Sequence, residues 1–198
     1  MSACRIYLSG AHSTGKTTIL KDLKAHLNVR FEEEIARNII KRLNWNRDEF
    51  LPDKCPEKFF RLNEEILRQQ ILIDETHFKA DSDFIADRCI DPIIYVQRYI
   101  GNTAKEKLFE MTGLKEWFDR LKTALIFVIQ PHKECIVDDS IRFPPHFHDL
   151  TEFHNAIMTE YQELNIPVYE IVELDRHARH KFIMDKIRSS YPQVIYGT

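Results

Sequence analysis

The segment Gly10, Ala11, His12, Ser13, Thr14, Gly15, Lys16 and Thr17, followed by Thr18, carries the spacing G-x-x-x-x-G-K-[ST] directly after the apolar run Ile6-Tyr7-Leu8. Its chemistry is that of a phosphate cradle. Backbone N–H groups from Ala11 to Lys16 turn inward around an anion where Gly10 and Gly15 accept angles that a Cβ disfavours. The Lys16 ammonium then reaches the β- and γ-phosphates of a nucleotide, and the Thr17 hydroxyl ligates Mg²⁺. ATP and Mg²⁺ are the expected cofactors, with Gly10 through Thr18 as the binding loop.

Further polar groups are spaced so that a folded chain brings them to the same place. The apolar run Phe84-Ile85-Ala86 delivers Asp87 and Arg88 to the end of a strand. Asp87 is suited to hold Mg²⁺ or to accept a proton from a hydroxyl, and Arg88 to clamp a phosphate. Glu34 and Arg37 share one side of a helix turn, where a carboxylate would engage an acceptor hydroxyl and a cation an anionic group. Arg142, within Val137-Asp138-Asp139-Ser140-Ile141-Arg142-Phe143-Pro144-Pro145, is expected on a lid that closes over a triphosphate. Arg61 and Gln69 are the candidates on a long helix to contact the ring of an acceptor. The stretch Asp175 to Lys181 is a local basic patch after the last strand.

The elements that must position these groups alternate. Strands are expected over Arg5–Ser9, Val29–Glu33, Asp83–Asp87, Leu125–Gln130 and Val168–Ile171. Helices are expected over Lys16–Leu27, Glu34–Leu43, Glu57–Lys79, Pro92–Ile100, Lys105–Leu121, His146–Leu164 and His177–Ser189. Parallel strands need crossovers, so the order predicts a three-layer α/β P-loop NTPase fold with a central, mostly parallel five-stranded sheet. Ligands bind such sheets at the carboxyl ends of the strands. One domain over residues 1–198 is expected, with a helical acceptor-binding region at about 44–80 and a lid at about 131–148.

Composition limits the partners. The 198 residues carry a net charge of −3 and no basic run, which gives no electrostatic case for nucleic acid. The longest apolar run, Ala124 to Ile129, is short of a membrane span, and the expectation is a cytoplasmic protein. Cys4, Cys55, Cys89 and Cys135 lack C-x-x-C spacing and are expected as reduced thiols.

Taken together, the P-loop, Glu34-Ile35-Ala36-Arg37, Asp87-Arg88, Asp139-x-x-Arg142, Tyr161 and Ile166-Pro167-Val168-Tyr169 resemble the AAA-type P-loop family that includes the ribosylnicotinamide kinase domain of NadR. The resemblance spans roughly Cys4 to Ile187. It implies that Lys16, Thr17 and Asp87 serve ATP and Mg²⁺ while Glu34, Arg37 and Arg88 face a phosphoryl acceptor. The resemblance to kinases whose loop after the last strand packs against the adenine ring implies that Arg176 or Arg179 would stack there. The chain departs from it at His12, where the family commonly carries Ser or Pro. The expected function is an ATP-dependent kinase acting on a nucleoside-like small molecule or a nucleotide. The family also contains nucleotide-binding trafficking factors, so a protein switched by ATP or GTP is the alternative. No N-K-x-D sequence to recognise guanine is present, which favours ATP.

Overall fold

The computed structural model describes residues 3–32, 35–136 and 146–196. Five strands, β1 (Arg5–Ser9), β2 (Arg30–Glu32), β3 (Phe84–Asp87), β4 (Leu125–Ile129) and β5 (Tyr169–Ile171), pair in parallel in the order β2-β3-β1-β4-β5. The central strands β1, β3 and β4 are buried along their whole length, which is why their sequences are nearly continuous apolar runs. The edge strands β2 and β5 are shorter and more exposed.

Strand alternation divides the core into two layers. Ile6 and Leu8 pack with Ile19 and Leu23 of α1 (Lys16–Lys24) and with Ile183 and Ile187 of α8 (Arg176–Ser190). Tyr7 points to the other face, into the layer that holds Leu67 of α3 (Pro56–Lys79), Ile93 of α4 (Asp91–Tyr99), Trp117 of α6 (Leu114–Leu121) and Ile157 of α7 (Phe147–Glu163). There the Tyr7 phenol donates to the buried Asp74 carboxylate at 2.5 Å, and Arg120 pairs with its other oxygen. A carboxylate with no exposure is tolerable at that depth only because both oxygens are engaged.

A third apolar cluster joins Ala36, Ile39 and Ile40 of α2 (Ile35–Leu43), Phe50 of a short 3₁₀ turn, and Leu62 and Ile66 of α3. It forms the corner that later borders the site. The helix expected over Lys105–Leu121 is two helices, α5 (Asn102–Phe109) and α6. The break falls at Gly113, whose φ of +83° ends a continuous helix and where a Cβ would sit 3.3 Å from the Ile71 side chain. The sheet is parallel throughout, and among the described residues an isolated antiparallel bridge, Leu27 with Ile195, lies outside it. The expected lid at 131–148 is described only in part: a 3₁₀ turn covers Lys133–Cys135, while 137–145 fall outside the described residues.

Candidate active site

β1 ends at Ser9 and the chain turns through the glycine-rich loop into α1. Gly10, Ser13 and Gly15 all have positive φ, at +124°, +60° and +91°. At Gly10 no other residue fits, because a Cβ would lie 2.9 Å from the Ile129 carbonyl oxygen of β4. The loop closes around Lys16, whose Nζ donates to the carbonyls of Gly10 at 2.7 Å and Ala11 at 2.6 Å. A buried ammonium inside a loop that opens onto a helix N-terminus fits a polyphosphate. Thr17 and Thr18 stand exposed on the first turn of α1. Among the described residues no three His, Cys, Asp or Glu converge on a point.

Sheet register brings the second group beside the first. Leu8 of β1 pairs with Asp87 of β3, and the Arg88 N–H donates to the Leu8 carbonyl at 2.8 Å. Asp87 and Arg88 are both buried, next to Ser9 and Gly10. Arg88 has a φ of +100°, a conformation that costs a side-chain-bearing residue about 1–3 kcal/mol and persists only where surrounding contacts hold it.

What holds this corner is Asp91, the first residue of α4, which has no solvent exposure. One carboxylate oxygen accepts the Gly10 N–H at 2.9 Å, with Arg88 Nη1 3.8 Å away. The other accepts the Cys89 N–H at 2.8 Å and the Ser9 hydroxyl at 3.0 Å, and Ser9 in turn accepts from the Tyr161 phenol at 2.8 Å. Burial pushes Tyr161 well above the usual phenol range, and the neighbouring Cys89 and Asp91 add to the effect, so the phenol keeps its proton as a donor. Burial likewise pushes the Cys89 thiol well up, which makes it inert.

Two more side chains brace the loop. Tyr95 of α4 accepts the His12 backbone N–H at 3.1 Å and lies 2.8 Å from His12 Nδ1. From the opposite side Arg179 of α8 donates to the Thr14 carbonyl at 3.1 Å and to the Glu173 carbonyl at 2.5 Å. Arg179 is 4% exposed, so it fastens the loop from beneath, whereas Arg176 pairs with Asp22 at the surface.

A largely apolar pocket with an enclosed volume of about 60 Å³ adjoins the P-loop. Ile40, Phe50, Phe59, Leu62, Ile66 and Pro92 form its apolar wall, and His12, Asn63, Arg88, Asp91 and Tyr95 its polar side. Arg37 is half-buried on α2, next to Ala36 of the lining. Glu34 and Arg142 lie outside the described residues. Arg61 and Gln69 do not line the cavity: Arg61 is exposed, and Gln69 donates to Glu65 at 3.3 Å and borders a different cleft with Arg30, Asn38 and Arg42. The reason is helical phase, since α3 turns Phe59, Leu62, Asn63 and Ile66 inward at i, i+3, i+4 and i+7, and the two polar candidates fall off that stripe. Sequence reasoning missed Asp91, Tyr95 and Asn63. The Asp-Pro pair at 91–92 signalled only a helix start.

A parallel five-stranded sheet with a P-loop after its central strand and a cavity at the carboxyl ends defines the P-loop kinase fold. The chain belongs to the AAA domain family, which it matches over residues 5–179. Among solved structures, NadR protein in complex with NR superposes with a TM-score of 0.70 at 20% identity, over 94% of this chain and 50% of that one. NadR in complex with NAD and AMP-PNP gives 0.66 at 20% identity, over 94% and 49%. Deoxyadenosine kinase from M. mycoides with bound products gives 0.60 at 13% identity, over 93% and 99%. At these identities the likeness is one of fold, and the chain spans about half the length of the NadR chains. No curated protein matches it. Among the described residues no helix is long and apolar enough to cross a membrane.

Proposed function

We propose that the protein is a kinase that transfers the γ-phosphoryl group of ATP to a hydroxyl of a nucleoside-like small molecule. The observation that carries this reading is the cavity that meets the P-loop at His12, Arg88 and Asp91. A nucleotide switch has no need of a second, largely apolar pocket at that junction; a phosphotransferase does.

Lys16 and the loop amides hold the β- and γ-phosphates, and Thr17 with Asp87 would hold Mg²⁺, which neutralises charge on the phosphate oxygens when bound. Phe59 and the aliphatic wall bury the acceptor ring, and Asn63 supplies an amide at the polar side. The acceptor oxygen bonds to the γ-phosphorus as the bond to the β–γ bridging oxygen breaks, and Asp87 or Glu34 takes the hydroxyl proton. Arg88, Arg37 and the lid residue Arg142 stabilise the transferred charge and hold the acceptor. Excluding water from the apolar cavity favours transfer over hydrolysis.

The test is ATP consumption with Mg²⁺ against nucleosides, nucleoside monophosphates and nicotinamide riboside, with product mass as the readout. One acceptor should yield a product heavier by one phosphate. Lys16→Ala should lower that turnover about 100-fold or more with the fold retained, and Phe59→Ala should raise the acceptor KM without changing ATP affinity. Tight nucleotide binding with no acceptor-dependent turnover across the panel would favour the switch.

A further inference from the structure

Asn63 lines the pocket from α3, beside Phe59, Leu62 and Ile66, and is 4% exposed. Its Nδ2 donates to the Phe59 carbonyl at 2.9 Å. That carbonyl already accepts the Asn63 backbone N–H in the i→i−4 ladder of the helix, so the side-chain bond fills no gap in α3. A carbonyl only accepts, so the amide nitrogen must be the atom that meets Phe59, and Oδ1 is the end left over. Among the described residues no group donates to that oxygen. An amide oxygen without a donor in an apolar wall is costly, and asparagine is a poor residue for a helix interior, so packing alone gives no reason for it. On the loop side of the pocket the oxygens are already engaged: Asp91 accepts from Ser9, Gly10 and Cys89, and Tyr95 accepts from the His12 backbone.

We propose that Asn63 Oδ1 selects the phosphoryl acceptor by accepting a hydrogen bond from an N–H at the buried edge of its ring, so that the substrates are nucleoside-like molecules whose heterocycle carries an amino or carboxamide group. This rests on the kinase reading for the acceptor's place in the pocket. The enclosed volume of about 60 Å³ amounts to about four or five water-sized spheres. That is room for such a substituent and the ring edge that bears it, not for a whole nucleoside. A ring that presents only a carbonyl or carboxylate oxygen there sets lone pair against lone pair at Oδ1, and it loses its hydration to an apolar wall with no donor in return. Asn63 is a binding residue: it holds the acceptor and moves neither the proton nor the phosphoryl group.

Calorimetric titration of paired acceptors into the protein with Mg²⁺ and AMP-PNP tests this. Adenosine is set against purine riboside, which lacks the amino group, and nicotinamide riboside against nicotinic acid riboside, which has a carboxylate in place of the carboxamide. In whichever pair binds, the member with the N–H should bind about tenfold tighter, the size of one hydrogen bond. Asn63→Leu, of similar volume and without the amide, should remove that difference and leave AMP-PNP affinity unchanged. Equal affinities within both pairs, tighter binding of the members without the N–H, a difference that survives Asn63→Leu, or no binding by any of the four would overturn the proposal. No turnover enters these titrations. A pair that separates as expected but gives no phosphorylated product with ATP therefore overturns the kinase reading alone, whereas phosphorylation of both members at equal kcat/KM overturns the role of Asn63 alone.

Discussion

The Asp91 carboxylate accepts the Gly10 amide hydrogen at 2.9 Å, across 81 residues of sequence. The start of α4, which walls the cavity, is thereby tied to the first residue of the phosphate loop. The same carboxylate takes the Ser9 hydroxyl and the Cys89 amide, so a single buried group sets the ends of β1 and β3 and the head of α4.

Asp91→Asn should be far more damaging than its size suggests. The amide turns a –NH₂ group toward N–H or O–H donors at one of the two oxygen positions, which leaves buried donors facing each other. A loss of about 1–3 kcal/mol in urea unfolding is expected, together with weaker ATP binding by calorimetry. Wild-type stability in this variant would show that the corner is held by other contacts.

Arg88 offers a comparison that isolates backbone strain. At a φ of +100° glycine is at ease and alanine is not, so Arg88→Gly should be more stable than Arg88→Ala by about 1 kcal/mol. Both variants should lose phosphoryl transfer. Paired melting curves and turnover assays check the two halves, and equal stabilities would mean that the backbone relaxes.

Arg179→Ala removes a guanidinium that joins the Thr14 and Glu173 carbonyls. ATP affinity should fall about tenfold, in line with a hydrogen-bond loss of about 1–2 kcal/mol, with the acceptor KM unchanged. Arg179→Lys should not rescue it, because one ammonium cannot reproduce the planar fork that reaches both carbonyls. Separate KM values for ATP and for the acceptor give the answer.

The pH dependence of stability has a definite sign at His180. Burial holds this ring below the ordinary histidine value of 6.5, with the nearby His26 adding to the effect. A histidine lowered in the folded state binds fewer protons there than in the unfolded chain. Its contribution is therefore fully present above pH 6.5 and is lost as pH falls below that value toward the folded-state pKa. His180→Asn should flatten the fall in Tm between about pH 7 and pH 5; an unchanged slope would place the effect in other groups.

The phosphate loop was legible in the sequence because everything it needs is local. Gly10, Gly15 and Lys16 lie within one turn between a strand and a helix, and backbone geometry dictates which residue types fit. The three central strands were legible because runs such as Leu125–Ile129 are apolar at every position only when both faces are covered. The break at Gly113 was not, because glycine spacing alone does not show that Ile71 approaches it.

The cavity belongs to tertiary structure. Arg61 and Gln69 have the right chemistry for an acceptor site, yet the phase of α3 against α2 turns Phe59, Leu62, Asn63 and Ile66 inward instead. Asp91 and Tyr95 look ordinary in sequence, one at a helix start and one on its first turns, and gain their roles only when the sheet register sets α4 beside the loop. The sequence by itself determined the glycine-rich loop between β1 and α1, since that depends on short-range backbone geometry. Which groups fasten the loop was decided by contacts more than eighty residues apart, such as Gly10 with Asp91 at a separation of 81, which local patterning does not encode.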